Sequence, residues 1–166
     1  MSDPINHPEH YTAHPTGVEC IEITRHCRFN TGSALKYLWR AWLKHGGDPA
    51  AARLQDLSRA IWYVRDERAL RARFAPAEPW DLWPVPGAAR RVGEIACAEI
   101  VQPFTDRVAL AFACIWDADV LWPDVGRLEQ AQAALEMEVL DLRGGMSGAG
   151  SVIRAASGGP GGMICG

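Results

Sequence analysis

At 166 residues, with 48% hydrophobic side chains and seven tryptophans, the chain is long and apolar enough for a core of ordinary domain size, which excludes wholesale disorder. No apolar run approaches the roughly 18 residues that span a bilayer, and the N-terminus MSDPINHPEHY lacks the basic and apolar regions of a secretory signal; a soluble chain in a cytoplasm is expected. A net charge of −3 gives no general attraction to nucleic acid or an anionic membrane, so any phosphate binding has to be local.

Residues 1–17 read as an extended arm carrying His7, His10 and His14. In extended backbone, spacings of three and four do not put these imidazoles on one face, and no Cys or carboxylate stands at ligand spacing, so no metal site is expected. The functional reading is that His7, His10 and Tyr11 donate hydrogen bonds to a ligand; the structural one is that they pack against a helix end. Residues 18–29 place Val18, Ile21 and Cys27 at helical spacing, with Glu19 and Glu22 in the first turn, where they complement the dipole. Asn30, Thr31 and Gly32 are expected to break this helix, with Thr31 or Ser33 capping the next.

Residues 31–64 are the stretch in which every local signal agrees. Leu35, Leu38, Trp39 and Trp42 recur at i, i+3, i+4 and i+7, while Lys36, Arg40 and Lys44 form a cationic stripe at i, i+4 and i+8. Gly46 and Gly47 suit a C-cap, Asp48 an N-cap and Pro49 the first position of a second helix. There Leu54, Leu57, Ile61 and Val64, with the stem of Arg68, continue the apolar pattern and predict a helical hairpin. Trp39 and Trp62 are expected in the core. Tyr37 and Tyr63 stand one position off the apolar stripes, where their hydroxyls reach a pocket rim. Three cations at this spacing repel unless acids or a ligand answer them; phosphate would, and so would Asp56, Glu22 or Glu19.

Residues 75–87 are a Trp- and Pro-rich connector whose Trp80 and Trp83 are expected to fold back on the core. Helices are predicted over 88–101, from Pro103 with Val108, Ala111, Phe112 and Ile115 in register, and from Asp124 to Arg143 with Leu128, Ala131, Leu135, Val139 and Leu142. Periodicity does not choose between extension of the core and a homo-oligomer through 124–143. Residues 144–166 read as a flexible Gly-rich tail. The five cysteines, Cys20, Cys27, Cys97, Cys114 and Cys165, form no CxxC pair and read as reduced thiols. The expected fold is all-α: a small helical domain over 1–74 with an extended arm, the connector, a C-terminal helical segment over 88–143 and the tail.

The blocks Asn6-His7-Pro8-x-His10-Tyr11, Gly17-Val18-Glu19-Cys20-Ile21, Gly32-x-x-Leu35-Lys36-Tyr37-Leu38-x-Arg40-Ala41-x-x-Lys44 and Asp56-Leu57-x-x-Ala60-x-Trp62-Tyr63 resemble the SaV-like domain family of phages and prophages. That family is mostly of unknown function; a described branch is a podophage deoxynucleoside monophosphate kinase without a P-loop. The resemblance covers about residues 5–68. It departs at Ser33, where the family has Asn, and at Ser58 and Arg59, where it has two lysines. It implies a phage-type nucleotide-handling protein, with a kinase as one outcome, and a nucleotide or other phosphorylated small molecule as partner. No bound cofactor is legible, and the resemblance allows a nucleoside triphosphate donor. In that reading Lys36, Arg40 and Lys44 neutralise phosphates, His7 or His10 contacts or protonates an oxygen, Asp56 orients a cation or a base edge, and Tyr11, Tyr37 and Tyr63 border the ligand. The alternatives are a non-catalytic nucleotide-binding or host-interaction module and a MazG-like pyrophosphohydrolase. For the last, Glu19-x-x-Glu22 supplies half a magnesium site, and Asp66 and Glu67 do not complete it.

Overall fold

A computed structural model describes residues 9–43, 49–73, 97–121 and 125–156. The fold is all-α, and among the described residues there is no strand. In chain order the elements are α1 (Glu9–Thr12), α2 (Cys20–Thr24), α3 (Phe29–Leu43), α4 (Pro49–Arg73), α5 (Cys97–Val101), α6 (Asp106–Trp116), a π-helical turn (Asp117–Leu121) and α7 (Val125–Ala156). No helix of the described residues is long and apolar enough to cross a membrane.

The arm departs from the expected extended backbone in two places. Glu9–Thr12 forms a helical turn, and Gly17 closes a turn by donating its amide to the His14 carbonyl (2.9 Å) at φ +75°, a left-handed conformation in which a side chain would be strained. His14 is buried beneath this turn. Its ring stacks on Trp39 with centroids 4.6 Å apart; Nε2 bonds the Ile100 carbonyl (2.8 Å), and Nδ1 lies 2.7 Å from the Thr16 hydroxyl and 3.2 Å from the Thr16 amide. A carbonyl only accepts, so Nε2 carries the hydrogen and Nδ1 is the acceptor of a neutral imidazole. Burial lowers the His14 pKa, against the opposing bond to Ile100.

An expected outcome follows for acid. Between the ordinary histidine value, about 6.5, and the lower folded value, the unfolded chain binds the proton and the folded chain does not, so the contribution of His14 is complete above that range and lost as pH falls through it. Urea midpoints should therefore drop between neutral pH and pH 5, and the His14→Gln chain, which cannot titrate there, should show a flatter profile. Equal slopes for the two chains would remove His14 from the account.

The predicted hairpin is present, with corrected boundaries. Asn30, Thr31 and Gly32 do not break a helix; they form the first turn of α3, and α2 stops at Thr24 instead. The Arg28 amide, just ahead of α3, is bonded by the Asp119 carboxylate (2.7 Å), the Thr31 hydroxyl donates to the Arg28 carbonyl (3.1 Å), and Asn30 donates to Asp66 (2.8 Å). Partners 91 and 36 residues away thus do what a local cap was expected to do. Gly32 is where α2 and α3 touch: a Cβ there would lie 3.1 Å from the Thr24 carbonyl oxygen and 3.3 Å from Cys27 Cβ. The turn at 44–48, including Gly46, Gly47 and Asp48, lies outside the described residues, as do Trp80, Trp83 and Cys165.

Helices α6 and α7 form a second hairpin that shares one core with the first. Trp39 meets Phe104 and Phe112 on one side, and Leu128, Ala131, Leu135 and Val139 are buried on the other. The stripe of 124–143 therefore extends the core of its own chain, leaving Met137 and Leu140 exposed outside it. Thr105, at the N-cap of α6, uses its hydroxyl on Glu138 (3.0 Å) rather than on its own helix. Along the outer seam Arg65 reaches Glu136 (2.6 Å), and Arg68 reaches Glu129 (2.6 Å) and Gln132 (2.5 Å). Helix α7 runs on to Ala156, past the start of the Gly-rich stretch at 144. Once a helix is nucleated each added residue gains a hydrogen bond, which offsets the roughly 1 kcal/mol cost of each glycine.

A buried polar network joins the two hairpins. Arg71 of α4 donates to Glu67 (2.8 Å), to the Ala118 carbonyl (2.6 Å) and to Asp119 (3.1 Å), while Arg28 lies 3.7 Å from Glu67 and 3.8 Å from Asp119. Asp119 sits on the π-helical turn, which aims its carboxylate at two arginines and a backbone amide at once.

Candidate phosphate cleft and aromatic ridge

The last residues of α2, the turn after it and the first two turns of α3 enclose a cleft of about 320 Å³ lined by Thr24, Arg25, Cys27, Arg28, Phe29, Gly32, Ser33 and Lys36. At its floor Gly32, having no side chain, lets Thr24 and Cys27 approach α3 closely. Three cations and two hydroxyls line it, with no carboxylate among the lining residues. Arg25 Nε is held by the Ile21 carbonyl (3.1 Å), and Arg28 lies in two long ion pairs, 3.7 Å from Glu67 and 3.8 Å from Asp119. Lys36 has no acidic partner among the described residues; its Nζ lies 5.6 Å from the Tyr37 ring centroid. Burial disfavours the thiolate of both nearby cysteines: it pushes the Cys20 thiol up to about 12 despite the charge of Lys36, and burial followed by the charge of Asp119 also raises Cys27.

Beyond Lys36 the cleft gives way to an aromatic ridge on the outer face of the α3–α4 hairpin. Tyr37 and Tyr63 stack at 5.8 Å with a 16° interplanar angle; Phe29 meets Tyr63 edge-on at 6.0 Å and Trp62 meets it at 4.9 Å. Phe29 is 79% exposed and Trp62 59%. The expectation of Trp62 in the core is thereby corrected. The buried face of α4 runs through Leu57, Ile61 and Val64, and a residue one position after Ile61 is rotated about 100° away from it. The guanidinium carbons of Arg59 and Arg40 lie 5.4 Å and 5.8 Å from the Tyr37 centroid.

The residues singled out in the sequence divide accordingly. Lys36 lines the cleft, and Tyr37 and Tyr63 form the ridge beside it. Asp56 is 2% exposed and sits 3.1 Å from Arg59 Nη1 and 3.3 Å from Arg40 Nε. It answers the cationic stripe from below and is not open to a ligand. The Arg40 contact is an ion pair without hydrogen-bond geometry. Tyr11 is half-buried against the core, away from the cleft lining. His10 starts in α1, its side chain outside the described residues; His7 and Lys44 also lie outside them. Sequence reasoning missed Arg25, Arg28 and Phe29. The signal was present, since Arg25 and Arg28 are spaced three apart, but the continuous helix expected over 18–29 was read only for its apolar residues and its two acids.

The acids of the pyrophosphohydrolase reading are engaged elsewhere. Glu22 accepts the Glu19 amide (2.9 Å), Asp66 holds Asn30, and Glu67 holds Arg71. Among the described residues no group of three or more His, Cys, Asp or Glu is arranged to hold a metal ion.

Compared with known proteins, the chain matches no curated protein and no solved structure. Residues 5–65, which contain the whole cleft and both tyrosines of the ridge, match the model of DUF3310, a family of unknown function.

Proposed function

We propose that the cleft between α2 and α3 binds the phosphate of a nucleotide, and that the protein is a phage-type nucleotide-handling protein. The observation that carries this reading is the meeting of Arg25, Arg28 and Lys36 with two hydroxyls around a concavity of about 320 Å³. Cations that converge on a cleft without a carboxylate favour an anion, and charge-assisted hydrogen bonds to phosphate are the strong kind. The resemblance of four ordered sequence blocks to the SaV-like family supports a nucleoside phosphate as that anion. Phosphoryl transfer asks the protein mainly for positioning and charge neutralisation, which Lys36 and Arg25 supply, while the acid–base group falls to the arm around His7 and His10.

A second reading, nucleotide binding without turnover, is favoured by the cleft lining itself, which includes no imidazole or carboxylate. Calorimetric titration with a panel of deoxynucleoside monophosphates is expected to find a ligand. Arg25→Ala and Lys36→Ala should each weaken it about tenfold or more, the equivalent of one charge-assisted bond. Unchanged affinity in both variants would remove the site. Thin-layer separation of a monophosphate incubated with a triphosphate donor then separates kinase from binder, since only transfer yields the two diphosphates.

A further inference from the structure

We infer that the outer face of the α3–α4 hairpin is a stacking platform for single-stranded nucleic acid. Its central observation is the pair of exposed rings, Phe29 and Trp62, which flank Tyr63 at 6.0 Å and 4.9 Å, with Tyr37 stacked behind at 5.8 Å. Solvent-exposed indole and phenyl groups that touch a common ring present a contiguous π surface, and every base has a face that can stack on it.

Charge selects the partner. Lys36, Arg40 and Arg59 surround the Tyr37 ring, each within 6 Å of its centroid as measured at 5.6, 5.8 and 5.4 Å. The acids of this face are already engaged: Asp56 is buried beneath Arg40 and Arg59, and Asp66 accepts from Asn30. Three cations against these two carboxylates leave the patch cationic on a chain whose net charge is −3. An aliphatic protein partner has no use for interleaved cations, and a duplex offers phosphates while keeping its base faces stacked inside. A single strand offers both bases and phosphates.

This inference goes beyond the nucleotide reading and can fail separately from it, because Trp62 and Tyr63 do not line the cleft. The test is fluorescence anisotropy of a labelled 15-nucleotide oligo-dT with the full chain, beside the same length of duplex, at low and high salt. Expected are binding of the single strand in preference to the duplex, weakening with salt, and a loss of about fivefold or more in each of Trp62→Ala and Phe29→Ala. Both side chains are exposed, so thermal midpoints should stay unchanged, and Trp62→Ala should keep its mononucleotide affinity. Equal affinity for duplex, or single-strand affinity untouched by both substitutions, would overturn the platform. So would light scattering that shows a dimer dissolved by Trp62→Ala, which would make the face an interface between copies.

Discussion

Arg71→Ala is expected to cost about 3–5 kcal/mol of folding stability, the range for removing one partner of a buried ion pair and leaving the other charges uncompensated. Arg71 is the only described side chain that hydrogen-bonds both Glu67 and Asp119, and it also satisfies the Ala118 carbonyl. Without it two buried carboxylates and a carbonyl lose a donor, and Arg28, at 3.7 and 3.8 Å, is too distant to replace the lost hydrogen bonds. Against a total of about 5–15 kcal/mol the loss should be plain as a shifted urea midpoint.

Asp119→Asn should be milder. Burial already raises the Asp119 pKa, against the opposing bond from the Arg28 amide and the charges of Arg71 and Arg28, so its charged form carries a desolvation penalty that an amide avoids. An Asn carbonyl can still accept from the Arg28 amide, and Glu67 remains to answer Arg71. The sign in pH follows from the raised folded value. In the window above the ordinary carboxylate pKa the folded chain holds the proton more tightly than the unfolded one, so stability from this group is present at the acid end and falls as pH rises through the folded pKa. In Arg71→Ala the Asp119 carboxyl should move further up and that dependence should steepen. A variant no less stable than the parent at neutral pH, or one whose profile is unchanged, would mean that the network is not what joins the hairpins.

The legibility of this protein in its sequence follows the range of the interactions. Periodic elements were legible: Leu35, Leu38 and Trp39, then Leu57, Ile61 and Val64, then Leu128, Ala131, Leu135 and Val139 are all buried as their spacing predicts. The start of α3 was not legible, because Asn30-Thr31-Gly32 carries every local mark of a break and is held helical by Asp66 and by Asp119, which binds the Arg28 amide from 91 residues away. Arg71 lies 48 residues from Asp119, so the network had no local signature either. For the candidate site the same rule applies. Lys36, Tyr37 and Tyr63 stood out as members of a motif, and Asp56 stood out as an acid able to neutralise the stripe, a role that its contacts to Arg40 and Arg59 fit. Arg25 and Arg28 became visible only when α2 ended early and turned them toward Lys36.

Two tryptophans that both stand in helical, apolar surroundings should respond very differently to truncation. Trp39→Ala is expected to cost about 3–5 kcal/mol, because the ring is fully buried and is packed by His14, Phe104 and Phe112, so its removal leaves a cavity between the two hairpins. It would also strip the stacking partner from His14, weakening the tie between the N-terminal turn and Ile100. Trp39→Phe should cost less, since the smaller ring keeps most contacts and removes an indole N–H that has no acceptor among the described residues. Trp62→Ala, by contrast, removes a ring with more than half its surface in solvent, and should change stability by no more than about 0.5 kcal/mol. The difference is set by register alone. Trp39 follows Leu38 on a face of α3 wide enough to reach both α6 and the arm, while Trp62 follows Ile61 onto the side of α4 turned away from α7. Paired urea titrations of the two alanine variants check it, and a large loss in Trp62→Ala with little in Trp39→Ala would invert the packing described here.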